Sequence, residues 1–108
     1  MIVDGHQHFW DLDRVAYPWL VPAYGPIYRS FHPAELEPQL RAAGVDRTVL
    51  VQSANSFEDT DAMLAQAEAH DWIGAVVGWV PLEEPRAVAA ALDERYRGRT
   101  AFRGVRHL

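Results

Sequence analysis

The sequence has 108 residues, 49% hydrophobic and 23% charged, enough for one small globular domain over residues 1–108 but far short of the about 250 residues of a complete (β/α)8 barrel. Cysteine is absent, which excludes disulfides, thiolate metal sites and a cysteine nucleophile. No apolar run approaches the roughly 20 residues that span a bilayer, and no basic-then-apolar leader opens the chain, so a cytoplasmic protein without a membrane partner is expected.

Residues 2–5 read as a short buried strand. The connection that follows, over residues 9–32, is unusually long and carries Trp10, Tyr17, Trp19, Tyr24 and Tyr28; long connections of this kind are generally functional. Pro38 fits a first helical position, and Gly44 fits a C-terminal stop. Residues 47–52 are apolar and β-branched without polar alternation, as in a strand covered on both faces. Ser56 with Asp59 resembles a capping box that opens a helix through Ala62, Leu64, Ala65 and Ala69. Residues 73–80 form a third strand that Pro81 ends, Pro85 opens a helix over Arg86 to Arg95, and residues 102–107 begin a fourth strand. The order βαβαβαβ implies a parallel sheet with right-handed crossovers. The last segment holds Arg95, Arg97, Arg99, Arg103 and Arg106, too few charges with too little aromatic interleaving for a nucleic-acid surface.

The sharpest local signal is His6-Gln7-His8 at the end of the first strand. In an extended chain, residues i and i+2 project from one face about 6.6–6.8 Å apart. Two imidazoles so placed converge on one divalent metal or on one substrate oxygen. Asp4 either orients a histidine or caps a backbone group, and Gln52 and Asn55 follow the second strand as donors toward the same end or as turn residues. On the fourth strand, His107 shares a face with Val105 and Arg106 shares the other with Gly104; alternation alone leaves open which faces inward. His70 reads as structural and His32, before Pro33, as a helix-entrance cap. No phosphate loop, nucleophile elbow or helical His-Glu-x-x-His is present, and Ser30, Ser53 and Ser56 lack the surroundings of a nucleophile.

Five motifs then fall in one order: Val3-Asp4-Gly5-His6-Gln7-His8-Phe9-Trp10, Tyr17-Pro18-Trp19-Leu20, Val49-Leu50-Val51-Gln52, Val77-Gly78-Trp79-Val80 and Gly104-Val105-Arg106-His107-Leu108. Together they resemble the start of the amidohydrolase-related TIM-barrel metal-dependent hydrolases, in the sugar-lactonase branch of L-fuconolactonase and L-rhamnono-lactonase types. The resemblance implies an α/β fold forming the first three and a half units of a (β/α)8 barrel, active only at full barrel length. It implies that His6 and His8 bind a divalent metal, zinc first among the candidates, or in some relatives the substrate. Arg106 and His107 would be catalytic, with Trp10, Trp19 and Gln52 binding a small lactone or carboxylate substrate. The family's later-strand histidine and water-activating aspartate would fall beyond Leu108. Gln52 and the Val-Gly-Trp-Val strand favour a lactonase over a metal-dependent decarboxylase of aromatic acids; a non-catalytic binding module is the third reading.

Overall fold

A computed structural model describes residues 1–108 and turns each β-branched run into a strand of one sheet. The strands are β1 (Val3–Gln7), β2 (Arg47–Val51), β3 (Ile73–Gly78) and β4 (Phe102–Val105), hydrogen-bonded in the order β1-β2-β3-β4 and parallel throughout. Between them lie α1 (Pro33–Ala43), α2 (Phe57–Ala69) and α3 (Pro85–Ala90), the last continuing into a π turn over Ala91–Arg95. This is the parallel strand–helix alternation of a partial TIM barrel. No helix is long and apolar enough to cross a membrane.

One helix starts earlier than expected. α1 begins at Pro33, not Pro38, because His32 is already extended and its backbone N–H is taken by the Glu35 carboxylate at 3.3 Å. Pro38 is accommodated inside the helix, and Gly44 closes it at φ 72°, a left-handed position that suits glycine. For α2 the expected cap forms: Ser56 Oγ accepts from the Asp59 N–H at 3.1 Å.

The core lies between the sheet and its helices. Leu50 and Val76, both fully buried, pack with Met63 and Leu64 of α2, and Phe9, Leu40, Trp72, Ile73 and Tyr96 extend the cluster. Truncating one such leucine to alanine costs about 2–5 kcal/mol. Two features lock β3 to α2. A Cβ at Gly78 would sit 2.8 Å from both Phe102 Cε2 and Thr60 Cγ2, so only glycine lets these elements approach. Thr60 Oγ1 donates to the Trp79 carbonyl at 2.9 Å and accepts from the Trp79 N–H at 2.8 Å, which holds the end of β3.

All three strand pairs carry a register shift. In β4 the pairing runs Val76↔Phe102 and then Val77↔Gly104, so Arg103 is an extra residue. Such a bulge flips every later side chain to the opposite face. It places Gly104 against the Val77 side chain, 3.4 Å from where a Cβ would sit, and puts Arg106 on that same face.

Candidate active site at the strand ends

The site is built where β1, β2 and β4 end. His6 and His8 turn their Nε2 atoms toward each other at 3.0 Å, with the rings edge to face. His8 Nδ1 donates to the Val51 carbonyl at 2.8 Å and lies 3.2 Å from Ser53 Oγ. Arg106 Nη1 reaches back across the sheet to His6 Nε2 at 3.1 Å. Asp4 turns out to serve the backbone, its Oδ1 accepting from the His6 N–H at 3.1 Å.

The carbonyl partner fixes the proton of His8. A carbonyl only accepts, so His8 carries its proton on Nδ1 and a lone pair on Nε2. A guanidinium only donates, so the Arg106 contact uses His6 Nε2 as an acceptor, whereas a hydrogen bond to His8 would use it as a donor. The two ring nitrogens stand 3.0 Å apart, close enough to take one cation together. Zinc–nitrogen bonds of about 2.0–2.1 Å fit this bite. Burial holds the His8 pKa below its ordinary value; the bond to the Val51 carbonyl opposes the shift, while His6 and Arg106 add to it. The imidazole is thus kept in its neutral, ligating form. No third His, Cys, Asp or Glu joins the pair, so these residues fit a divalent ion as two of the three protein ligands usual for catalytic zinc.

Beside the pair lies a cavity of about 420 Å³ lined by His8, Trp10, Trp19, Ser53, Arg106 and Leu108. Its aromatic wall comes from the long connection, which is folded and not loose. Phe31 N–H donates to the Trp10 carbonyl at 2.8 Å in an isolated antiparallel bridge. Tyr17 OH accepts from the Asp11 N–H at 3.1 Å, and burial pushes the phenol pKa to about 12. Val15, Tyr17 and Leu20 bury themselves against Ala54. Trp19 Nε1 donates to the Ser53 carbonyl at 2.6 Å, tying the wall to the turn after β2. Trp10 and Trp19 meet edge to face at 5.4 Å between centroids.

The other expected residues fall into a second group. Trp79 Nε1 donates to His107 Nδ1 at 3.2 Å, and Asn55 Nδ2 lies 3.4 Å from His107 Nε2. Asn55 also brackets Leu108, accepting its N–H at 3.0 Å and donating to its carbonyl at 3.1 Å. Gln52 is 0% exposed and lines no part of the cavity. Its Nε2 donates to Asn55 Oδ1 at 2.9 Å, so it reaches the site only through Asn55. His32 pairs with Asp11 at 3.2 Å, away from the cavity. Sequence reasoning passed over Ser53 because its role comes from contacts with His8 and Trp19, both distant in the chain. Trp79 was legible only as a strand residue.

Strands that end at one site, with an aromatic connection as its wall, are the architecture of a (β/α) barrel seen here in part. The amidohydrolase family model matches residues 3–108, and the chain belongs to that family. It is 42% identical over 100 residues to an L-fucono-1,5-lactonase of Burkholderia ambifaria, covering 89% of this chain and 34% of the relative. An L-fucono-1,5-lactonase of Burkholderia multivorans is 33% identical over 105 residues, covering 97% and 34%. Two crystal structures of a Burkholderia multivorans amidohydrolase match 99% of this chain. The one with bound zinc has TM-score 0.82 at 33% identity, and the one with bound HEPES has 0.86 at 35%. The chain spans about a third of the length of these relatives.

Proposed function

We propose that residues 1–108 form the N-terminal part of a cytoplasmic barrel hydrolase that opens a sugar-type lactone, of the L-fucono-1,5-lactone class, by attack of water on the ester carbonyl. The observation that carries this reading is the convergence of His6, His8 and Arg106 beside a cavity walled by Trp10 and Trp19. Indole faces suit the C–H face of a sugar ring. The Arg106 fork offers several N–H donors to a carbonyl oxygen that gains negative charge, as an oxyanion site requires. Zinc held by His6 and His8 would supply further polarisation of that carbonyl. His107 stands outside the cavity lining, its Nδ1 accepting from Trp79 and its Nε2 beside the Asn55 amide, so it supports the strand end that carries Arg106. Asn55 and Gln52 keep the Leu108 segment against the turn after β2.

The test is a chimera in which these residues replace the matching third of the Burkholderia ambifaria relative. Hydrolysis of L-fucono-1,5-lactone is then followed by acid release. The chimera should turn over the lactone, and His6→Ala with His8→Ala should lower turnover by orders of magnitude with the fold retained. A folded chimera that leaves lactones intact, or that decarboxylates aromatic acids in their place, overturns the reading.

A further inference from the structure

Arg106 Nη1 stands 3.1 Å from His6 Nε2, the one ring nitrogen that His6 turns toward His8 and would offer to a metal. We propose that Arg106 is a built-in competitor for the metal at His6: its guanidinium occupies the ligand nitrogen in the metal-free chain and must leave when a divalent ion binds. The inference rests on the metal-binding reading of His6 and His8 given above. A guanidinium stays charged at all ordinary pH values, so a divalent ion and Arg106 cannot share this nitrogen by losing a proton; one displaces the other. The placement is built into the fold. The extra residue at Arg103 turns Arg106 inward, and Gly104, two residues earlier on the same face, adds no side chain in the way. No carboxylate holds Arg106 elsewhere: the ion pairs of the molecule use Arg29, Arg41, Arg95, Arg97, Arg99 and His32. Once displaced, the guanidinium stays at the wall of the 420 Å³ cavity with all its donors free for an anion. Metal and a carboxylate ligand should therefore favour each other's binding.

The experiment is zinc titration of the full-length chimera described above by calorimetry, comparing the unsubstituted chimera (wild type below), Arg106→Gln, Arg103→Gln and His6→Ala. Arg103→Gln removes the same charge from β4 without touching His6, so it separates displacement from long-range repulsion. Arg106→Gln should bind zinc about tenfold more tightly than wild type, and Arg103→Gln should match wild type. Equal affinities for wild type and Arg106→Gln, or equal tightening in both arginine variants, overturn the competition. If His6→Ala binds zinc as wild type does, or if no variant binds zinc, the metal reading itself fails and the competition fails with it. A second measurement covers misfolding of Arg106→Gln: nitrogen-15 spectra of wild type should show the Arg106 guanidinium signals moving to free-arginine positions at saturating zinc. Signals that stay in place overturn the proposal.

Discussion

Asp59 holds the turn on which the cavity wall depends, and its replacement gives a sharp test of how that turn is built. Its carboxylate is 1% exposed, and Oδ2 accepts from the N–H groups of Ser53 at 2.8 Å and Ala54 at 3.1 Å. Both donors belong to residues that are themselves buried. Hydrogen bonds to a charged group contribute about 1.5–3 kcal/mol each, and orphaning a buried donor costs a comparable amount. Asp59→Ala should therefore destabilise by about 3–5 kcal/mol, a large share of the about 5–15 kcal/mol of a domain. Asp59→Asn keeps an acceptor oxygen in place and should cost about 1 kcal/mol near neutral pH. Burial raises the folded pKa of Asp59, against the two backbone donors that lower it. The folded state then binds this proton more tightly than the unfolded chain. Stability from this linkage is fully present below the unfolded value of about 3.9 and is lost as pH rises through the folded pKa. Asparagine has no such linkage, so wild type should gain on Asp59→Asn as pH falls from 6 to 3. Urea denaturation followed by circular dichroism at several pH values reads both effects. An Asp59→Ala cost below 1 kcal/mol, or a wild-type advantage over Asp59→Asn that shrinks on acidification, would refute this account of the turn.

Gly78→Ala places a methyl 2.8 Å from Phe102 and Thr60 and should cost about 1–3 kcal/mol by overpacking, seen as a lower thermal midpoint. Thr60→Val keeps the shape but strips the Trp79 N–H and carbonyl of their shared partner; a loss of about 1–3 kcal/mol and faster amide exchange at Trp79 are expected. Trp19→Phe removes the 2.6 Å bond to the Ser53 carbonyl. Exchange and proteolysis within residues 9–32 should rise while global denaturation shifts by no more than about 1 kcal/mol, because the loop opens separately from the sheet.

The strands and their parallel order are legible because β2 and β3 are apolar on both faces, which only a doubly covered sheet explains. The histidine pair is legible because an i, i+2 spacing at a strand end has one geometric outcome. Gln52 illustrates a signal present but outweighed by the motif around it. Thr48, Leu50 and Gln52 alternate along the β2 segment and are all 0% exposed, so strand period alone assigns Gln52 to the buried face. Arg106 illustrates the opposite case. Alternation narrows it to one of two faces, and the choice depends on a bulge at Arg103 that exists only in the pairing with β3. The helix start at Pro33 was obscured by two prolines, either of which suits a first turn; the extended His32 and its bond to Glu35 decide between them.

Strand twist and inward side-chain reach join fold to site. β1 and β4 are the two edges of a four-stranded sheet, about 14 Å apart across three strand spacings if the sheet were flat. Yet Arg106 and His6, one hundred positions apart in sequence, lie in hydrogen-bond contact at 3.1 Å. Two long side chains reach inward to close that gap, and the twist of parallel strands on the way to a closed barrel shortens it. The inward side chains converge at the strand ends, while the helices pack the opposite face. A residue's place in the site then follows from strand-end position and face. His6, His8 and Arg106 meet both conditions, and Gln52 meets only the first.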